Sequence, residues 1–188
     1  MNLKAVRSDW ESSVLGLRVG TMDIDATQET VNVYGNDDRF DVIFVRCRGW
    51  VDQGNASLVA LDYLYDMEMS VETERLRTSC VSVMCFPSKR HLEIATEAFP
   101  DSRFLRDPRL AKKAPERYVR WLSENQSYVP TEAPEEAFLV VKSDSDGAGR
   151  ISLLAVARQS RSIGIGRRLV AGVLSVEPTR KLWRVQVS

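Results

Sequence analysis

Apolar positions along the chain fall into short runs whose spacing switches from two residues to three or four and back. Residues 40–47 (Phe-Asp-Val-Ile-Phe-Val-Arg-Cys) are β-branched and aromatic and predict a buried strand. Residues 10–22 alternate loosely through Val14, Leu15, Leu17, Val19 and Met22, which predicts a strand interrupted at Gly16. Over residues 58–71, Tyr63, Tyr65, Met67, Met69 and Val71 alternate with Leu64, Asp66, Glu68 and Ser70, so a strand with one wet face is expected. The Tyr/Met stripe is read as core packing. Residues 80–86 read as a further strand, ended by Pro87.

The period then changes. Ser88 can cap a helix in which Leu92, Ile94, Ala95, Ala98 and Phe99 recur at helical spacing until Pro100. A second helix carries Tyr118, Val119, Trp121 and Leu122, with Pro115 in its first turn. Trp121 reads as a core anchor on that face. Between the helices, Ser102-Arg103-Phe104 and Asp107-Pro108 fit either a capped turn over a packed Phe104 or a recognition loop. Residues 128–136, with Pro130, Pro134 and three glutamates, predict a solvated loop. A strand at 138–142, a turn at Asp144-Ser145-Asp146-Gly147, and a second apolar strand at 151–156 follow. A glycine-containing loop, a helix through Arg168, Leu169, Val170, Val173 and Leu174, and a last strand at 182–187 complete the pattern.

Composition narrows the field. The 188 residues are 44% hydrophobic and 28% charged, as in ordinary globular proteins. Lys+Arg 26 balance Asp+Glu 26, and no basic stripe offers a phosphate-neutralising surface, so a nucleic-acid partner is not expected. Cys47, Cys80 and Cys85 match no zinc spacing, and no metal is expected; they read as reduced thiols of a cytoplasmic protein. The start Met1-Asn2-Leu3-Lys4 leads into Arg7, Ser8 and Asp9 without an apolar signal region. No run approaches the roughly 18 apolar residues of a membrane span, so no membrane insertion is expected. His91 is the only histidine and sits beside no nucleophile motif, so Ser-His-Asp and Cys-His chemistry would have to use it as base.

The clearest chemical signal is Arg161-Ser162-Ile163-Gly164-Ile165-Gly166-Arg167 between a strand and a helix. Such a turn presents unpaired N–H groups and the positive end of a helix dipole, which suits a phosphate or diphosphate. A P-loop is excluded, since no Gly-Lys-Ser/Thr follows. A dinucleotide fingerprint would need a small residue where Leu169 stands. Glycines serving only a tight turn would leave the surrounding arginines unexplained.

With Leu154-Ala155-Val156 before it, this segment resembles the acetyl-CoA signature of the GCN5-related N-acetyltransferases (GNATs), Arg/Gln-x-x-Gly-x-Gly/Ala after a strand ending in Ala-Val. Trp10-Glu11-Ser12-Ser13, Leu15-Gly16, Ala98-Phe99, Ser102-Arg103-Phe104, Asp107-Pro108, Tyr118 and Trp121-Leu122 are similar to the dTDP-fucosamine acetyltransferase type. The resemblance implies an α/β fold, a GNAT-like mixed sheet with flanking helices, with an incomplete GNAT-like N-terminal half over 1–87 and an acetyl-CoA-binding half over 88–188. It implies acetyl-CoA as co-substrate, held by amides from Arg161 to Arg167, with the strands 151–156 and 182–187 splayed to admit the pantetheine arm against the backbone of Leu154 and Val156. The implied acceptor is an amino-sugar nucleotide or another small amine. Family members continue past the last strand with a further helix and an acid-donating tyrosine, whereas this sequence stops at Ser188. That difference raises three further expectations: a truncated chain, a homodimer covering an open sheet edge, or a non-catalytic module binding acyl-CoA or a protein. Tyr118 and Tyr128 have no motif support as the acid, and Glu93, Glu97 and Asp107 are bases only by proximity in sequence, so the catalytic residues are unassigned.

Overall fold

The computed structural model describes residues 5–25, 38–48, 65–70, 80–100 and 102–187. Two compact units divide the chain, Met1–Leu61 and Asp62–Ser188.

In the first unit, β1 (Val6–Arg7) pairs antiparallel with β2 (Val19–Asp25), and β2 pairs parallel with β3 (Val42–Arg48). The strand read over residues 40–47 is β3. The interrupted strand over 10–22 is corrected: residues Asp9–Leu15 form helix α1. Asp9 and Glu11 favour the dipole of its first turn, and Gly16 ends it at φ +66°, donating to the Ser12 carbonyl. The apparent alternation came from Val14 and Leu15, both buried on one side of a short helix, running straight into Val19 of β2.

The second unit is built on a six-stranded mixed sheet in the order β4-β9-β8-β7-β6-β5. Its strands are β4 (Tyr65–Ser70), β5 (Val81–Val83), β6 (Gln126–Pro130), β7 (Ala137–Ser143), β8 (Gly149–Val156) and β9 (Leu182–Val187). Helices α2 (Lys89–Ala98), α3 (Arg103–Arg106), α4 (Pro108–Ala111) and α5 (Ala114–Glu124) precede β6, and α6 (Ile165–Val176) crosses from β8 to β9. The expected mixed α/β fold with flanking helices is what the structure has. The sequence reading drew the division near Pro87, but β4 pairs with β9 and β5 with β6, so both strands belong to the later sheet. Residues 58–64 and 71 of the predicted strand lie outside the described residues.

The predicted loop over 128–136 is also corrected in its first part. Ser127, Tyr128 and Val129 are buried in β6, which pairs with β7 on one side and β5 on the other. Pro130 closes the strand, a position where its missing N–H costs the ladder little.

Each face of the sheet carries helices. Tyr128, Leu139, Val141, Ile151 and Trp183 form a core with Leu169, Val173 and Leu174 of α6. Phe138 points the other way, and its ring meets that of His91 on α2 edge to face, centres 6.0 Å apart. In β8 the register against β7 slips by one residue at Ser152. This bulge is what places Ile151, Leu154 and Val156 together on the α6 side. Position 172 of α6 is buried where β5 approaches: a Cβ there would stand 2.5 Å from Val81 Cγ1, so the contact requires glycine.

Candidate coenzyme loop

The parallel pairing of β8 with β9 runs from Gly149–Trp183 through Arg150–Arg184 to Ile151–Val185 and stops. Beyond it, β8 stays paired with β7 as far as Val156, and β9 stays paired with β4 as far as Val187, so the two strands part company. The closed end of this fork is stapled by charge. Arg184 lies 2.9 Å from Glu68, 3.1 Å from Asp144 and 2.7 Å from Asp146, and Arg150 lies 2.9 Å from Asp144.

At the open end the chain leaves Val156 through a 3₁₀ turn, Arg158–Ser160, and reverses through two left-handed residues, Ser162 at φ +65° and Gly164 at φ +82°. Gly164 is the N-cap of α6, and its carbonyl accepts from the Arg168 amide at 3.0 Å. The amides of Ile165, Gly166 and Arg167 therefore belong to the first turn, where an α-helix has no partner of its own to offer. Arg161, Ser162, Ile163, Gly164 and Arg167 are exposed, Gly166 is half-buried, and Ile165 is tucked into the core. Two arginines brace the loop from within. Arg161 Nε donates to the Val156 carbonyl at 3.0 Å, and Arg168 Nη1 donates to the Ile163 carbonyl at 3.2 Å.

The structure thus brings the predicted residues together: Leu154 and Val156 on the stretch of β8 past the fork, Arg161 to Arg167 directly above its end. A Cβ built on Gly166 would lie 3.5 Å from Val156 Cγ2 and 4.0 Å from Leu154 Cδ2, ordinary contact distances. Position 164 needs glycine for its backbone angle, but position 166 needs it for neither angle nor packing. Glycine inside the first helical turn weakens the helix by roughly 0.5–1 kcal/mol relative to alanine.

Other singled-out residues have structural partners. His91 is buried: its Nδ1 accepts from the Ser88 amide at 3.0 Å, which puts the ring proton on Nε2, where it is donated to the Pro134 carbonyl at 2.8 Å. Glu93 and Glu97 face Arg90 on α2, at 3.3 and 3.9 Å. Asp107 caps α4 by accepting from the Arg109 amide, and the Arg109 guanidinium at 2.6 Å holds its carboxyl below the usual range. Phe104 is buried, with the Arg117 guanidinium 3.7 Å from its ring centre and 4.3 Å from that of Trp121, which matches the packed-turn reading of this segment. The Tyr118 hydroxyl donates to Ser102 Oγ at 3.5 Å. The Tyr128 hydroxyl donates to Glu177 at 2.5 Å, and burial, then that carboxylate, push the phenol well above its ordinary value. Glu177 follows the last turn of α6, the end opposite the loop.

No protein-family model and no curated protein matches the chain. Among solved structures it is similar to a GCN5-related N-acetyltransferase from Sphaerobacter thermophilus, with 18% identity, TM-score 0.41, 66% of this chain and 42% of that one covered. It is similar to a GCN5-related N-acetyltransferase from Kribbella flavida, with 16% identity, TM-score 0.38, and 66% and 30% covered. N-acetylglutamate synthase from Neisseria gonorrhoeae, solved with coenzyme A and N-acetyl-glutamate, follows with 18% identity, TM-score 0.34, and 55% and 24% covered. The chain spans less than half the length of each of these three proteins.

The residues of the loop fit a coenzyme A diphosphate. The first-turn amides of Ile165, Gly166 and Arg167 have no helical partner, glycine at 166 sets no side chain beside them, and the cations Arg158, Arg161, Arg167 and Arg168 stand exposed along the same segment. One neighbour of this loop carried no signal in the sequence. Cys80, just before β5, donates its thiol to the Arg168 carbonyl at 3.5 Å and lines a hollow with Pro130, Glu132, Ile165 and Leu169. Among the described residues no cluster of three or more His, Cys, Asp and Glu side chains could hold a metal, and no helix is long and apolar enough to cross a membrane.

Proposed function

We propose that the second unit binds acetyl-CoA at the loop 161–167 and that the protein is an N-acetyltransferase. The observation that carries this reading is Gly166: a residue that weakens its own helix and that neither angle nor packing requires, set at the mouth of a forked sheet. Bound there, the coenzyme supplies an acetyl group activated as a thioester. The amides of Ile165, Gly166 and Arg167 hold the diphosphate, and Arg167 adds charge. The β8 backbone from Leu154 to Val156, past its last β9 partner, offers an extended ligand the hydrogen-bonding edge a neighbouring strand would use. Orientation of an amine near the thioester carbonyl supplies much of the acceleration, since a thiolate leaves readily.

The acceptor in this reading is the amino group of a sugar nucleotide. Its support is the resemblance over Ala98-Phe99, Ser102-Arg103-Phe104, Asp107-Pro108 and Tyr118.

Calorimetry with CoA and thiol release from acetyl-CoA test both levels. Binding that Gly166→Glu abolishes is expected, together with thiol release that depends on dTDP-4-amino-4,6-dideoxygalactose. Release with other small amines alone would move the acceptor class. Tight CoA binding without amine-dependent release would make the chain a binding module, and undiminished affinity in Gly166→Glu would remove the site.

A further inference from the structure

The turn that leads into the first-turn amides is tied to the approach of β7 by Glu136. Glu136 ends the turn before β7, its own amide donating to the Ala133 carbonyl at 3.0 Å. Its carbonyl accepts from the Ala157 amide at 2.8 Å. Its carboxylate oxygen Oε2 accepts from Ser160 Oγ at 2.5 Å and from Gln159 Nε2 at 2.9 Å. Residues 157, 159 and 160 are thus all fastened to Glu136, while within the turn the backbone adds only Ser160 N to Ala157 O at 2.9 Å and a long Arg161 N to Arg158 O at 3.4 Å. The next residues, from Arg161, are the ones whose amides must converge.

We infer that Glu136 is the positioning residue of the coenzyme loop: it touches no coenzyme but fixes Ser160 and Gln159, and through them the direction in which the amides of 162–167 point. The inference rests on the coenzyme reading given above. A carboxylate beside a diphosphate site would repel its ligand if it faced it, and the hydroxyl of Ser160 and the amide of Gln159 engage it instead. Glutamine at 136 keeps an oxygen that can accept from Ser160, whereas alanine keeps none.

The test compares Glu136→Ala, Glu136→Gln and Ser160→Ala with the wild type. CoA affinity is read by calorimetry, that of pantetheine, which lacks the diphosphate, by NMR titration, and loop order by amide hydrogen exchange. Glu136→Ala should weaken CoA by about tenfold and Ser160→Ala by roughly threefold. Pantetheine affinity should hold, Glu136→Gln should stay within about threefold of wild type, and exchange over 157–167 should quicken in both alanine variants. Wild-type CoA affinity and unchanged exchange in both alanine variants overturn the inference while leaving the site intact. Equal losses of CoA and pantetheine also overturn it, because they mark a general structural defect. If Glu136→Ala does not fold, Ser160→Ala and Glu136→Gln decide by the same readings. A wild type that binds no CoA removes the coenzyme reading, and the exchange data then decide alone whether Glu136 orders the loop.

Discussion

Arg161 reaches back along its own chain, and its Nε donates to the carbonyl oxygen of Val156 at 3.0 Å. That carbonyl lies past the last residue of β8 that β9 accompanies, so the arginine caps the end of the strand while its remaining guanidinium nitrogens stay at an exposed surface. Arg161→Met should weaken CoA by about three- to tenfold, the loss of one modest hydrogen bond and one cation. Calorimetry at two salt concentrations checks this. Wild-type affinity should fall more steeply with salt than that of the variant, because screening acts on the charge the variant lacks.

The two glycines of the loop should separate stability from binding. Gly166→Ala places a methyl at ordinary distance from Val156 and Leu154 and restores helix propensity, so thermal stability should hold or rise by about 0.5–1 kcal/mol while CoA affinity drops. Gly164→Ala puts a side chain at φ +82° and should cost about 1–2 kcal/mol. Scanning calorimetry ranks the two. A destabilised Gly166→Ala would show that position 166 is glycine for packing after all.

His91 should matter to folding rather than to chemistry. Its ring accepts from the N-cap amide of α2 and donates to the Pro134 carbonyl, so His91→Ala strands both groups and should cost about 2–4 kcal/mol in urea unfolding. His91→Gln should retain acetyl transfer at the wild-type rate per folded molecule. A collapse of kcat in that variant with its fold intact would restore the histidine as a base.

The Tyr128 phenol gives the protein an alkaline limit. Burial, then Glu177, raise its folded pKa above the ordinary 10.0, so the folded chain keeps this proton where the unfolded chain releases it. The stabilisation is whole below about pH 10 and is lost as pH climbs above it. Urea midpoints measured from pH 8 to 11 should fall at the top of that range, and Tyr128→Phe should flatten the fall.

Much of the second unit was legible because its signals were local and agreed with one another. Ser88 before an apolar periodic run gave α2, Pro115 in a first turn gave α5, and strand, glycine loop and helix gave β8 and α6. Misreadings arose where a local rule met a tertiary one. Proline and glutamates marked residues 128–136 as loop, yet Tyr128 and Val129 are drawn into the sheet by β5 and β7. Apolar residues at 14, 15, 17 and 19 suggested alternation, although Asp9, Glu11 and Gly16 already held the signature of a short capped helix. The position of Glu136 under the loop could not be read, since Ser160 lies 24 residues away and meets it only through pairing of β7 with β8. Glycine 166 was legible as a glycine, but that packing does not demand it was visible only once Leu154 and Val156 stood beside it.

Gly172 carries one more implication. With 2.5 Å between a would-be methyl carbon and Val81, α6 and the edge strand β5 meet almost backbone to side chain, beyond the packing of Leu169, Val173 and Leu174 on the rest of the sheet. A larger residue there would force α6 and β5 apart, and a rigid helix would carry part of that displacement to its first turn. Substitutions at a site remote from every ligand-facing group would then register as misaligned amides at 165–167.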